Sequence, residues 1–524
     1  MPASGSFFEI AKKYGQEHLF TFWEELKSDE RDDLVKDLEL VNFENVSSLL
    51  TIPEKKSAAL ECRLKPPERK ACESLVQLRL EDPPKTLESY RRTGLIKILM
   101  IMFNAALHAI HQGKIAVLLL AGGQGTRLGF HLPKGLFSPG LPSGRSLYQI
   151  QAEQILKVEQ LASDEFGSAP PIPWYIMTSG HTDEPTIAFF KSHNYFGHKS
   201  DCVIFFEQFT LPCFGFDGKI LLENKHKVAV APDGNGGLYR ALYERGILED
   251  MSKRGVEYLQ IYCVDNILVK VPDLDRLTAL PKSYPRLNQL SQSALSQWLT
   301  VVIACSPDVA SSEGDLPDAA DGGDVTRSRL VYNHGNICVH YVTRAFLESV
   351  CQPDRRSALG FHVAKKKIPH LNLTTGQQVK PSEPNGIKFE QFVFDVFPFA
   401  ERFALWEVPR KERFSPLKNG ENASTDCPRT SRADYLAYHT KLAKDAGVQL
   451  VNTSNSENQC ANETSVESMI EISPLVSYDG ENLQCLKGVQ IQGLNLLELD
   501  KDTKAPILIQ LSDGRRSQQP QRKL

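Results

Sequence analysis

An α/β fold is what this sequence predicts: a central, mostly parallel sheet, preceded by an N-terminal helical domain and followed by a small C-terminal β-containing lobe. Three observations carry it. Apolar runs of strand length, KIAVLLLAGG, WYIMTS, CVIFFEQ and LQIYCVDN, alternate with helical stretches such as LYQIQAEQILKVEQLA and LYRALYERGILEDM. Strands separated by helices build a parallel sheet wrapped by crossovers, with ligands at the carboxyl ends of the strands. The run VLLLAGGQGTRLG, Val117 to Gly129, passes from an apolar strand directly into a glycine-rich loop. The first hundred or so residues are patterned differently, with a helical period.

In chain order, FFEIAKKYGQEHLFTFWEEL places apolar residues at three- and four-residue spacing with charges on the opposite face, the mark of amphipathic helices. Residues 1–112 therefore read as a helical domain, and 113–400 as the core domain with the alternating strands and helices. Residues 401–524 read as the C-terminal lobe. There KNGENASTDCPRTS and NTSNSENQCANETS are polar and turn-rich, ISPLVSYDGENL and KAPILIQL are strand-like, and the tail GRRSQQPQRKL has the composition of a disordered end. No internal repeat is visible.

The chain has 524 residues, 41% of them hydrophobic, enough for several domains with full cores. Its net charge of −4 argues against a nucleic-acid binder that relies on bulk positive potential, so any phosphate site must be local. No apolar run approaches the roughly 18–20 residues of a membrane helix, and Met1 to Ala11 lacks the basic and apolar regions of a signal peptide. The expected compartment is the cytosol. The 11 cysteines show no CxxC pairs or metal-ligand spacing and read as free, mostly buried thiols.

The glycine-rich loop carries the first chemistry. Gly122, Gly123 and Gly125 can take positive φ and let backbone N–H groups approach phosphate oxygens, while Arg127 and Lys134 add charge. This is neither the GxxxxGK[ST] loop nor the GxGxxG dinucleotide fingerprint. A tight strand-to-helix turn with incidental cations is the plainer alternative. Asp265 ends the strand LQIYCVD, where its carboxylate can face the crevice beyond the sheet or cap the next turn. Asp395, in FVFDVF, is either a second acidic contributor or one half of a structural ion pair.

The loop and its continuation to Lys134 and Gly135 closely resemble the LAGGxGTRLG…PKG signature of eukaryotic UDP-sugar pyrophosphorylases. FFEQ (Phe205 to Gln208), APDGNGGLYRAL (Ala231 to Leu242), YCVDNILVKV (Tyr262 to Val271), HGNI (His334 to Ile337), KPSEPNGIKFEQFVFDVF (Lys380 to Phe397) and FSPLKN (Phe414 to Asn419) follow in order. Together they are similar to the UDP-N-acetylhexosamine pyrophosphorylase family, with the UDP-glucose enzymes more distant. The resemblance implies a Rossmann-like, GT-A-like nucleotidyltransferase sheet. It also implies attack of an N-acetylhexosamine 1-phosphate on UTP, giving UDP-N-acetylglucosamine or its galacto counterpart and pyrophosphate, with Mg²⁺ or Mn²⁺ as cofactor.

It implies roles as well. Arg127 and Lys134 match positions that hold the UTP phosphates, Arg127 toward the leaving pyrophosphate and Lys134 toward the α-phosphate. Gln208 matches the glutamine that reads uracil, for which an amide that both donates and accepts is suited. Gly123 and Gly234 match positions of close backbone approach, and Leu120, Ala121 and Gly122 complete the nucleotide floor. Asp265 matches the metal-holding carboxylate, Asn235 and Asn336 match asparagines on the hexosamine, and Lys388 and Lys418 match phosphate-contacting lysines, Lys418 from the sugar-phosphate side. Small-molecule substrates, no nucleic acid, no membrane, and a monomer or homodimer are the expected associations.

The likeness breaks between Asp273 and Arg329. The family's β-rich stretch with a Glu-Tyr pair on the sugar has no counterpart in DLDRLTALPKSYPRLNQLSQSALSQWLT or SSEGDLPDAADGGDVTRSR. Glu313, Asp315 and Asp318 are nearby acids outside that setting. The stretch either replaces part of the sugar pocket or derives from a different exon or frame. Its composition predicts a helix-tolerant segment, a flexible loop and a poorly formed sheet flank. A working pyrophosphorylase leads; an enzyme of altered sugar preference and a UTP- or UDP-sugar-binding protein without turnover stay open beside it.

Overall fold

The computed structural model describes residues 3–39, 41, 43–44, 72–74, 104–274, 299–305, 335–451, 468–512, 515–516 and 522–523. Their contacts group into two compact units. One gathers Met1–Pro66, Gln208–Ile247 and Glu348–Phe399, and the other Pro67–Glu207, Leu248–Leu347 and Ala400–Leu524. These are not the contiguous divisions 1–112, 113–400 and 401–524 expected from the sequence. The reason is that chain segments far apart in sequence share one core, which local periodicity does not register.

The larger unit is built on an eight-stranded sheet. Its strands are β1 (Cys72–Ser74), β2 (Ile115–Leu120), β3 (Trp174–Thr178), β4 (Val203–Glu207), β5 (Tyr258–Cys263), β6 (Leu299–Cys305), β7 (Gly335–Thr343) and β8 (Arg402–Val408). They lie side by side in the order β1-β8-β6-β7-β5-β2-β3-β4. Every pairing is parallel except the two made by β7, which runs antiparallel to β5 and to β6. The mostly parallel sheet expected from the sequence is therefore present, with one reversed strand inside it.

All six side chains of β2 and all five of β3 are buried, as continuous apolar strands covered on both faces must be. The helix Leu147–Phe166 packs against them. Ser146 caps it by accepting from the N–H of Gln149, and Gly167, at φ +80°, ends it. Its Tyr148, Ala152, Ile155, Val158 and Ala162 share one core with Val117, Leu119, Trp174 and Ile176 of the sheet. Truncating a residue such as Ile155 to Ala costs about 2–5 kcal/mol in a core of this kind.

From β2 the chain winds outward through β3 to β4, then returns to place β5 on the other side of β2. That reversal is a topological switch point, where loops leaving the two carboxyl ends diverge and open a crevice. Because β7 runs the opposite way, its first residues lie at the same edge of the sheet as the last residues of β5 and β6. Tyr262 is opposite Val339, and Cys305 is opposite Gly335.

Two expectations are corrected here. Within the divergent segment, residues 299–305 form β6, paired with β7 on one side and β8 on the other, so the sheet continues through this stretch instead of being poorly formed. LTVVIAC, lying between two polar stretches, has the β-branched content of a strand. Residues 275–298 and 306–334, with Glu313, Asp315 and Asp318, lie outside the described residues. In the C-terminal lobe, Met469–Ile472 and Leu494–Leu499 pair in parallel, and Pro506–Ser512 adds antiparallel. Arg515–Arg516 and Arg522–Lys523 pair with that last strand, so part of the tail read as disordered extends the sheet.

A buried ionic network ties this lobe to the chain before the long helix. Arg145 Nε lies 2.7 Å from Glu153 Oε2, and its Nη2 donates to Ser473 Oγ at 3.0 Å. Ser143 donates to Glu471 through its N–H and its hydroxyl.

The smaller unit holds helices Ala3–Lys13 and Ser28–Glu39 and a three-stranded antiparallel sheet of His362–Lys366, Gly386–Glu390 and Phe214–Gly215. Leu19, Leu34, Leu38, Phe214 and Phe389 meet in its core. The buried Gln16 amide bridges distant chain, donating to Gly218 O at 3.0 Å and accepting from Ile220 N–H at 2.8 Å.

Candidate active site

The loop after β2 closes upon itself through its backbone. Gly125 N–H donates to Leu132 O at 3.1 Å, Lys134 N–H to Gly123 O at 3.2 Å, and Ser179 Oγ to Gly122 O at 3.0 Å. Gly122, Gly123 and Gly125 do not use their freedom to take positive φ; the left-handed glycine of the loop is Gly129, at φ +72°. Gly125 is needed for space, since a Cβ there would meet Phe130 at 2.9 Å. Around Gly123 nothing lies within 4 Å of such an atom. Its bareness therefore faces open space, as a residue awaiting close approach by a ligand would. Leu120 and Ala121 are buried side chains, so what they can offer is backbone.

Lys134 opens a short turn, Lys134–Leu136. Gly135 seats that turn against the long helix, because a Cβ there would come within 2.1 Å of the Tyr148 ring. The Lys134 ammonium lies 3.5 Å from Asp265 Oδ2, with side chains 16% and 19% exposed. That is longer than a normal N–H···O bond, so the pair shares a field without saturating each other. Lys134 comes from the β2 side of the switch point and Asp265 from the end of β5.

Asp265 is held by a segment remote in sequence. Asn266, 2% exposed, accepts from Ser415 N–H at 2.9 Å and donates to Arg413 O at 2.8 Å, while Leu417 N–H donates to Asp265 O at 2.9 Å. This clamp sets Lys418 beside the end of β5, where the Cys338 sulfur, burial and the Asp265 charge hold the Cys263 thiol well above its ordinary value and the Lys418 charge offsets them only in part. At Gly420 a Cβ would touch Arg127 O at 3.4 Å, so the same segment reaches the glycine-rich loop. Arg127 is exposed. Arg127, Lys134, Asp265 and Lys418, separated widely in sequence, are thus gathered at the carboxyl edge of one sheet. Asn336, at the start of the reversed β7, stands at that edge too, with an exposed side chain.

In the smaller unit, Gln208 is 8% exposed and follows β4 directly. Gly234 has φ +88°, and a Cβ there would fall 2.3 Å from Gln391 O, so only glycine fits. Asn235 accepts at Oδ1 from Val393 N–H at 2.9 Å. Lys388 sits in the strand Gly386–Glu390, close enough to lower a Cys213 thiol that burial pushes up to about 11. Asp395 binds His362 Nε2 at 2.9 Å and accepts from Phe392 N–H at 2.7 Å, which is the structural alternative of its two readings.

Sequence reasoning passed over Asp233, Gly135, Asn266 and His340. Asp233 is 3% exposed, and burial pushes its carboxyl up to about 7. Its only signal was its place in PDGNGG. Asn266, directly after Asp265 in an otherwise apolar run, was a polar residue with a burial problem to solve.

Among the described residues no cluster of three or more His, Cys, Asp or Glu side chains is arranged around a metal position. A lone, partly buried carboxylate fits Mg²⁺, which keeps several waters and takes its remaining oxygens from substrate phosphates. Asp265 is a hard oxygen donor of that kind.

A mostly parallel sheet with a glycine-rich loop, cations and one carboxylate at its switch point defines a nucleotidyltransferase. A family model described as UTP--glucose-1-phosphate uridylyltransferase matches residues 85–286. The UDP-N-acetylhexosamine pyrophosphorylase-like protein 1 of Xenopus tropicalis is 40% identical over 530 residues, covering 96% of each chain. The UDP-N-acetylglucosamine diphosphorylase 2 of Arabidopsis thaliana is 38% identical over 498 residues, covering 91% of this chain and 90% of its own. The crystal structure of the uridine diphosphate N-acetylglucosamine pyrophosphorylase of Trypanosoma brucei, in complex with inhibitor, superposes with a TM-score of 0.70 at 25% identity, covering 93% of this chain and 95% of that one. The chain belongs to the UDP-N-acetylhexosamine pyrophosphorylase family.

Proposed function

We propose that this protein is a uridylyltransferase that makes UDP-N-acetylglucosamine and pyrophosphate from UTP and N-acetylglucosamine 1-phosphate, with the galacto epimer as a second candidate substrate. The observation that carries the proposal is the Lys134–Asp265 pair at the switch point between β2 and β5. A phosphate oxygen of the sugar phosphate attacks the α-phosphorus of UTP in line. The new P–O bond forms as the bond to the bridging oxygen breaks, and its electron pair leaves with pyrophosphate. Such chemistry needs positioning and charge neutralisation more than a general base.

Lys134 then faces the α-phosphate, where negative charge accumulates, and Arg127, on the exposed loop, meets the departing pyrophosphate. Lys418 receives the sugar phosphate. Backbone at Leu120 to Gly123 forms the nucleotide floor. Asp265 would hold Mg²⁺, which when bound neutralises phosphate charge. Gln208, Gly234, Asn235, Asn336 and Lys388 keep the roles the family resemblance gives them, as base reader, close-approach glycine, sugar contacts and phosphate contact.

A second reading, altered sugar preference, is favoured by the lack of a Glu-Tyr pair anywhere in residues 273–329. Pyrophosphate release from UTP and Mg²⁺ with a panel of sugar 1-phosphates tests both. Highest kcat/KM with an N-acetylhexosamine 1-phosphate supports the first, preference for another sugar the second, and no release with any member overturns both.

A further inference from the structure

Asn336 stands at the start of β7, and its Oδ1 has two neighbours. Cys338 N–H donates to it at 2.8 Å, and His340 Nε2 lies 3.0 Å away. A backbone N–H can only donate, so the amide atom it meets must be the oxygen. The ring nitrogen facing that oxygen must then carry a hydrogen as well, since a bare nitrogen would set lone pair against lone pair. His340 is 1% exposed, and burial pulls its pKa down to about 3, so the ring is neutral. Its tautomer is therefore Nε2–H.

The backbone is shaped for this contact. Cys338 takes φ +53°, which turns its N–H back toward the preceding asparagine, and the β6–β7 register shifts at Ile303/Ala304, opposite this turn. With two hydrogen bonds on Oδ1, the group Asn336 has left to present at the exposed edge is its NH₂. Asn235, within its own unit, has its oxygen taken by Val393 N–H in the same manner.

We propose that His340 is a positioning residue: together with the Cys338 N–H it locks Asn336 as a hydrogen-bond donor, so that the sugar-phosphate substrate is read here through an acceptor oxygen. This rests on the reading of Asn336 as a contact to that substrate. An amide free to flip would offer either face and discriminate poorly; one with a fixed oxygen rejects a ligand that brings a donor to this position, because two donors then confront each other.

A double-mutant cycle tests the positioning role. His340→Phe keeps a ring but removes the donor, and should raise KM for N-acetylglucosamine 1-phosphate about tenfold while leaving KM for UTP unchanged. His340→Gln, whose amide can still donate, should recover most of that loss. In an Asn336→Ala background, His340→Phe should have no further effect, because its route of action is gone. An equal effect of His340→Phe with and without Asn336, or an unchanged KM in the single variant, overturns the proposal.

A readout independent of turnover separates this from the functional reading. ¹⁵N spectra of histidine-labelled protein, with His340→Gln used to assign the resonance, should show a neutral ring protonated at Nε2 from pH 5 to pH 8. A ring protonated at Nδ1 alone, or charged in that range, overturns the locked orientation whether or not the protein consumes UTP. Failure of the sugar-phosphate panel with the Nε2–H tautomer intact would instead strike the functional reading.

Discussion

Lys134 Nζ and Asp265 Oδ2 lie 3.5 Å apart although 131 residues separate them in the chain. They meet because β2 and β5 are parallel neighbours, with Leu120 opposite Cys263, so the loops leaving both strands start from the same edge. A cation suited to the α-phosphate and a carboxylate suited to a divalent ion thus stand together where the sheet reverses its winding.

Arg127→Ala should leave the fold intact and reduce turnover roughly 100- to 1,000-fold, the usual loss for one preorganised contact to developing charge. The side chain is exposed, so an unchanged melting temperature is expected alongside the kinetic defect. Near-normal turnover in the variant would remove Arg127 from the mechanism.

Asp265→Asn should sharply raise the Mg²⁺ concentration needed for half-maximal rate, because a neutral amide is a poorer ligand for a hard cation than a carboxylate. EDTA should silence the unmodified protein, and excess Mg²⁺ should restore it. Full activity after thorough chelation would sink the metal assignment.

Gly123→Ala and Gly234→Ala should part company. A Cβ at Gly123 meets nothing within 4 Å, so the variant should melt like the parent while KM for UTP rises. At Gly234, with φ +88° and Gln391 O only 2.3 Å from the new atom, about 1–3 kcal/mol of stability should be lost. Thermal melts and UTP titrations of both variants decide the matter, and equal melting temperatures would contradict it.

Asp233 should make stability fall as pH rises. Its carboxyl, pushed up to about 7 by burial, keeps a proton in the folded chain. In the unfolded chain the same group loses that proton near pH 4. Between about pH 4 and pH 7 the folded state binds more protons, so the contribution is full below the unfolded pKa and lost as pH climbs through the folded one. Asp233→Asn stays neutral throughout, and its melting temperature relative to the parent should therefore increase from pH 5 to pH 8. A difference that does not change with pH would mean the carboxyl is ionised across this range.

The sequence by itself determined the class of fold and much of the chemistry. Continuous apolar runs such as IAVLLL and WYIMT, alternating with helical stretches, fit strands covered on both faces, and the glycines and cations of residues 121–134 give a phosphate loop as the expectation from local composition. Family motifs then attached roles to Gln208, Asp265 and Lys418. Tertiary structure decided what local pattern does not encode. Asn266 clamps the segment bearing Lys418 through hydrogen bonds spanning 147 and 149 residues, and β6 finds its place between β7 and β8 inside a stretch whose composition predicted a poorly formed sheet flank. The oxygen of Asn336 is fixed by a buried histidine four residues on, a relation that depends on the positive φ of Cys338 and not on spacing. Periodicity reports which face of an element is buried; it carries no information on which distant element does the burying, and the partners of polar side chains follow from that second choice.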